Sequence, residues 1–234
     1  MWRPQLERVP EGWRLIAPDL RGFGFGQQPA PDAPAPTMDD FAADVSEVLD
    51  ALKIDPAVIG GLSMGGYVAF ALFRRSPERF SGMILSDTRP QADTPEAREG
   101  RRKLMEIASA GGARAVADQM LPALLGQTTM RTRPDVRSHV RELIESAPVA
   151  AISGALEAMM GRPDSTPDLA RISCPVLVLT GDEDTITPIA DAEAMQQKIA
   201  RCRLVVLPGA GHLSNLETPD TFSQAVSDFL ASYI

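Results

Sequence analysis

Short apolar runs alternate along this chain with longer stretches of helical period. Leu15-Ile16-Ala17 is the first run that reads as a strand, and Pro18-Asp19 ends it. A Gly-rich stretch, Arg21 to Gly26, follows, then a Pro/Ala segment from Pro29 to Pro36 that is too proline-dense for a helix or a central strand. Thr37 with Asp40 three residues on marks a helix start. Met38, Phe41, Val45, Val48, Leu49 and Leu52 then recur at helical spacing. Ala57-Val58-Ile59-Gly60 predicts a strand, and about Gly65 to Arg75 a helix stopped by Ser76-Pro77. Met83-Ile84-Leu85 predicts another strand. Pro175 to Thr180 is continuous and β-branched, as a strand buried on both faces would be. A helix over Pro188 to Ala200, a strand over Leu204 to Leu207 and a helix opened by Thr218-Pro219 complete the pattern. Strands separated by helices predict an α/β fold, a mostly parallel sheet covered by helices on both faces.

Residues 88–166 break this rhythm. They hold no convincing strand and show helical patterns near 95–110, 112–121, 134–146 and 148–160. Gly111-Gly112, Leu121-Pro122, Arg133-Pro134 and Ala147-Pro148 separate them. This stretch is far too long for a bare loop. It reads as a helical cap (88–166) inserted in a core domain formed by 1–87 and 167–234, just before the strand over Pro175 to Thr180.

Charge sharpens that division. The net charge of the 234 residues is -8. The cap has 11 basic and 10 acidic residues, so the acidity belongs to the sheet domain and says little about a substrate. An acidic chain without clustered Lys and Arg argues against nucleic acid as a partner. No apolar run approaches the ~20 residues of a membrane helix, and Met1 to Gln5 begins no signal peptide. Neither feature calls for a membrane, and a cytoplasmic location is the default expectation. Two cysteines, Cys174 and Cys202, form no disulfide framework and no cysteine metal site, so they read as reduced core thiols.

Gly61-Leu62-Ser63-Met64-Gly65 has the G-x-S-x-G spacing, with a predicted strand before it and a predicted helix after it. In that context the serine occupies a sharp, strained turn, and the flanking glycines are expected to remove side chains that would clash. The helix N-terminus behind it favours negative charge. A hydroxyl needs a base to become a nucleophile. Of the two histidines, His139 lies in a cap helix and reads as exposed. His212, in Pro208-Gly209-Ala210-Gly211-His212, reads as a residue of a flexible-backbone loop past the last strand. A third group must orient the imidazole. Asp184, in Gly181-Asp182-Glu183-Asp184, is the candidate, with Asp182 as the fallback because it follows Gly181 directly and serves turn geometry. All three candidates follow predicted strand ends, the edge where open parallel sheets gather ligands.

On four stretches the chain resembles the α/β-hydrolase family, of the small cap-bearing carboxylesterase and enol-lactonase type. They are Ala17 to Gly24, Gly61 to Gly66, Thr180 to Asp184 and Pro208 to His212. The resemblance implies Ser63 as nucleophile, Asp184 as acid, His212 as base and the Met64 backbone N–H as an oxyanion-hole donor. It implies hydrolysis of a small-molecule ester or lactone through an acyl-enzyme, with no metal and no organic cofactor. Cleavage of a C–C bond in a diketone would use the same triad, and a non-catalytic protein on the same fold is the alternative of another class. The cap methionines Met105, Met120, Met130, Met159 and Met160 fit either helix packing or a pliable pocket wall.

The resemblance departs at the start. The family pattern has an N-terminal hairpin and then a strand ending in a His-Gly turn with a second oxyanion donor. Here Met1-Trp2-Arg3-Pro4 resembles the helix after that turn. The expectation is an N-terminally shortened form of a longer hydrolase, checked by reading the coding sequence upstream of Met1. A gap in the sheet, unpaired strand edges, an exposed apolar face and weakened turnover are expected with it.

Overall fold

A computed structural model describes residues 1–26 and 34–233. Residues 29–33 of the Pro/Ala segment lie outside the described residues. Helix α1 (Arg3–Leu6) comes first, then α2 (Met38–Leu52). The predicted start of α2 is a capping box. Thr37 Oγ1 accepts from the Asp40 N–H at 3.2 Å, and the Asp40 carboxylate accepts from the Thr37 N–H at 2.8 Å. Strand β1 (Ala57–Leu62), helix α3 (Met64–Arg75) and strand β2 (Phe80–Ser86) follow. Four helices come next: α4 (Pro95–Leu124), α5 (Gln127–Thr132), α6 (Pro134–Glu145) and α7 (Val149–Gly161). The chain closes with β3 (Val176–Gly181), α8 (Ile189–Lys198), β4 (Cys202–Leu207), α9 (Ser214–Glu217) and α10 (Pro219–Leu230). Helices α4, α6 and α10 each begin with proline, whose missing N–H costs nothing in the first turn.

The four strands form a parallel sheet in the order β1-β2-β3-β4. Period-two alternation decides which face each side chain joins. Ile59, Met83, Leu85, Val176 and Val178 pack with α2, α3 and α8 residues such as Phe41, Phe70 and Met195. Val58, Ile84, Leu177 and Leu179 point the other way, against Phe222, Phe229 and Leu230 of α10. All six residues of β3 are buried, as its unbroken apolar run predicts. A third cluster sits beyond the strand ends. Leu62, Leu213 and Leu216 meet Leu121 and Leu125 at the end of α4 and Val136 and Val140 of α6.

Three local expectations are corrected. Leu15-Ile16-Ala17 is not a strand, and Leu15 and Ile16 are exposed. Extended backbone becomes a strand only by pairing, and β1 ends the described sheet with a groove beyond it instead of a partner. Pro122 does not end a helix but lies inside α4. It falls in the last turn, where it forfeits one i→i−4 bond without ending the helix, and the Leu125 N–H still reaches the Leu121 carbonyl at 3.2 Å. The break expected at Gly111-Gly112 is a kink within α4 at Gly112 (φ 70°, ψ -173°). Helix α5 was not legible, because Gln127-Thr128-Thr129-Met130-Arg131-Thr132 carries no apolar period. No single helix among the described residues is long and apolar enough to cross a membrane.

Candidate active site

Ser63 is the single residue between β1 and α3. Its backbone, φ 52° and ψ -112°, lies where an L-residue is strained. Neighbours hold it there. The Ser63 N–H donates to the Ser86 carbonyl at 2.8 Å, and the Ser63 carbonyl accepts from the Gly66 N–H at 2.9 Å and from Thr88 Oγ1 at 2.8 Å. The glycines divide differently from the expectation. A Cβ on Gly61 would lie 2.1 Å from the Gly65 carbonyl, whereas one on Gly65 would meet nothing within 4 Å. Gly66 is the second position that must stay bare, because its Cβ would strike the Thr88 side chain at 2.4 Å. Met64 opens α3, so its backbone N–H is among the donors the helix itself leaves unsatisfied.

His212 follows β4, and its ring is buried, 2% exposed. The loop carrying it is pinned and not free, contrary to the glycine-rich reading. The His212 N–H donates to the Leu124 carbonyl at 3.1 Å. Glu217, itself buried, accepts from the N–H groups of Gly211 (2.9 Å), Leu213 (3.1 Å) and Gly126 (2.8 Å). This carboxylate ties the His212 loop to the turn between α4 and α5. Sequence reasoning missed it, because a glutamate ending a short helix carries no marker of burial.

Asp184 emerges just past β3. Its Oδ2 lies 2.8 Å from His212 Nδ1 and accepts from Thr187 Oγ1 at 2.6 Å. Its Oδ1 accepts from the Ile186 and Thr187 N–H groups at 2.8 and 3.0 Å. Burial alone would raise this carboxyl. The hydrogen bond and charge of His212, with the Thr187 bonds, outweigh that and hold it below the usual carboxylate range. On the other side of the ring, His212 Nε2 lies 2.7 Å from Ser63 Oγ. The three candidates predicted from sequence therefore meet in one unbroken hydrogen-bond chain. Asp182, the fallback, stands outside it and accepts from the Gly209 N–H at 2.7 Å, the turn role expected of it. Glu183 accepts from Thr128 Oγ1 at 2.5 Å and from its N–H at 2.8 Å, fastening α5 to the end of β3.

Asp87 is a further buried carboxyl, near Asp184 and Glu217. Asp87 follows β2 with φ 44° and is 1% exposed. Its Oδ1 accepts from the Gly181 N–H at 2.9 Å, and its Oδ2 lies 2.5 Å from Ser214 Oγ. Burial pushes the carboxyl well above its usual range. The Ser214 and Gly181 bonds oppose that shift, and the charges of Asp184 and Glu217 add to it.

Ser63, Met64 and His212 line a cavity of about 1240 Å³. Met120, Leu124 and Met159 line it, so two of the five methionines singled out within residues 88–166 reach the pocket wall, while Met130 packs in the third apolar cluster. The cavity continues along β1 past Val58 to Leu15 and Ile16, which is the groove at the sheet edge. His139 is half-buried on α6, not exposed. Cys174 and Cys202 are free and half-buried against the core, and burial pushes the Cys202 thiol up to about 11. Among the described residues no group of three or more His, Cys, Asp or Glu is placed to hold a metal ion.

The chain is similar over nearly its whole length to known hydrolases. The structure of a thermophilic esterase from Thermogutta terrifontis, with malate bound, superposes with a TM-score of 0.93 at 41% identity. That match covers 99% of this chain and 84% of the other. The 3-oxoadipate enol-lactonase 2 of Acinetobacter baylyi is 29% identical over 97% of this chain and 82% of its own. The 2-hydroxymuconate semialdehyde hydrolase of Pseudomonas sp. CF600 is 30% identical over 98% of this chain and 81% of its own. Residues 1–219 match the family model described as alpha/beta hydrolase fold. With a parallel sheet flanked by helices and its candidate residues at the strand ends, the chain belongs to the alpha/beta hydrolase family.

Proposed function

We propose that this protein is a serine hydrolase of small carboxylic esters or lactones, with Ser63 as nucleophile, His212 as base and Asp184 as the acid that orients it. The observation that carries this reading is the chain Ser63 Oγ–His212 Nε2–His212 Nδ1–Asp184 Oδ2, at 2.7 and 2.8 Å. The similarity to an esterase and an enol-lactonase supports the substrate class. His212 Nε2 takes the Ser63 proton as Oγ bonds to the carbonyl carbon. Asp184 keeps a proton on Nδ1 and stabilises the imidazolium. The oxyanion receives the Met64 N–H, helped by the N-terminal end of α3. The proton on Nε2 then passes to the departing alkoxide. Water, deprotonated in turn by His212, attacks the acyl-enzyme carbonyl; the bond to Ser63 Oγ breaks, Oγ takes that proton back from His212 Nε2, and the acid is released.

Residues 88–166 act in this reading as a cap, since Met120, Leu124 and Met159 face the cavity that Ser63 enters. The test is labelling by a fluorophosphonate together with an ester and lactone panel. Ser63 should take the label, and Ser63→Ala should lose label and turnover together. A folded chain that neither labels nor turns over any ester would overturn the reading in favour of a binding protein. C–C cleavage of a diketone is the second reading, favoured by the similarity to a semialdehyde hydrolase. Product analysis with a ring-cleavage diketone separates the two.

A further inference from the structure

Arg89 stands apart from the other arginines around the cap end of the cavity. Arg101 is paired with Asp93 through Nε at 2.5 Å and Nη2 at 3.3 Å. Arg162 reaches the same carboxylate at 2.7 Å and lies over the Tyr67 ring. One carboxylate thus serves two guanidinium groups. Arg89 lines the cavity together with Ser63, Met64, Ile186 and Met159, yet, unlike Arg101 and Arg162, it forms no ion pair among the described residues; its Nε is buried without an acceptor, as is the Nε of Arg162. The preceding residue, Thr88, hydrogen-bonds the Ser63 carbonyl, so Arg89 springs from the backbone that braces the nucleophile turn. Asp191 acts on Arg89 at longer range. Burial raises its carboxyl, and its hydrogen-bond contact is a long one from Gln91 at 3.5 Å. A planar guanidinium that lines a cavity with no carboxylate paired to it is matched by a ligand carboxylate, which can accept two parallel bonds.

We propose that Arg89 binds a carboxylate carried by the substrate, so that the ester or lactone this site takes is an anion. The substrate assignment rests on the hydrolase reading, while the carboxylate site can be tested without turnover. Binding of monomethyl glutarate and of dimethyl glutarate to Ser63→Ala is measured by titration calorimetry. The monoester, which has the free carboxylate, should bind about 10- to 100-fold more tightly, the range of a charge-assisted hydrogen bond. Ser63→Ala/Arg89→Met should lose that preference and keep its affinity for the diester, and Arg89→Lys should keep part of it. Equal binding of the two esters to Ser63→Ala overturns the proposal, whatever the fate of the Arg89 variants. So does an undiminished preference in Arg89→Met. With Ser63 intact, tight binding of the monoester with neither its hydrolysis nor labelling of Ser63 would discard the hydrolase reading and leave the carboxylate site standing.

Discussion

Asp87→Asn should stabilise this protein, and by an amount that grows with pH. The carboxyl is 1% exposed, with Gly181 N–H on one oxygen and Ser214 Oγ at the other. Asparagine has the same shape. Its carbonyl can keep the Gly181 bond, and its amide can donate to Ser214 Oγ, which also accepts. The substitution therefore preserves both contacts and removes an ionisable group from a site that disfavours its charge. The sign follows from linkage. The folded carboxyl is raised by burial, so above the ordinary carboxyl value of ~4 the unfolded chain releases this proton first. Over that window the folded wild type holds one proton more than the unfolded chain, and its stability falls by up to ~1.4 kcal/mol per pH unit from this group. The loss stops where the folded carboxyl itself ionises. Asp87→Asn escapes the penalty, so its advantage should widen through that window. Urea unfolding of both proteins at pH 5, 6 and 7, with equal m-values, measures it. Asp87→Ala is the contrast, because it leaves the Gly181 N–H and the Ser214 hydroxyl without their partner, at about 1–3 kcal/mol for a buried group. A constant difference between Asp87→Asn and wild type from pH 5 to 7 would refute the reasoning. So would a variant less stable than wild type at all three.

Four further substitutions probe the supports of the site and of the fold. Gly65→Ala should be neutral or stabilising by up to ~1 kcal/mol, since it adds a methyl to open space within a helix. Gly66→Ala must displace Thr88 from the Ser63 carbonyl, at about 1–3 kcal/mol. Thermal melting that ranks the two the other way would contradict this account of the turn. Glu217→Gln must turn an N–H toward a backbone N–H of Gly126, Gly211 or Leu213. It should cost about 1–3 kcal/mol, and the shift of the His212 loop should lower ester turnover by up to about 10²-fold; an unchanged kcat would show that the loop is held by other contacts. Thr37→Ala removes the side-chain half of the α2 capping box and should lower stability by ~1 kcal/mol in denaturant titration, with turnover unaffected.

What could be read from the chain depended on how locally each feature is encoded. The capping box of α2 lies within four residues, and the structure forms it atom for atom. The apolar run of β3 reports burial on both faces because the run itself is what burial requires. The Ser63 turn is as legible, since strand, glycine, serine and helix adjoin in sequence. Leu15-Ile16-Ala17 failed for the opposite reason. Its pattern is that of a strand, but a strand is a property of two segments, and no described segment pairs with this one. Helix α5 failed because its six residues are fixed by Glu183 on Thr128 and by Met130 packing in the third apolar cluster, contacts from elsewhere in the chain.

The same distinction separates the candidate triad from what holds it. Ser63, Asp184 and His212 each follow a strand, so the parallel sheet delivers them to one edge without any residue in between needing to be known. Asp87 and Glu217 also sit near that edge, yet nothing in the sequence sets them apart from the other acidic residues. Apart from Ser214 Oγ on Asp87, their partners are backbone N–H groups of Gly181, Gly126, Gly211 and Leu213, and every residue but proline has one. A contact between a carboxylate and a distant main chain leaves no trace in residue type. It is nevertheless such contacts that bring His212 to hydrogen-bond distance of both Ser63 and Asp184. The glycines beside His212 suggested a loose loop, whereas one of them, Gly211, crosses the backbone at Gly126 so closely that a Cβ on Gly211 would lie 2.2 Å from the Gly126 nitrogen. Bare backbone here serves close packing around a buried carboxylate, and the precision of the candidate site follows from that packing more than from the motif that announces it.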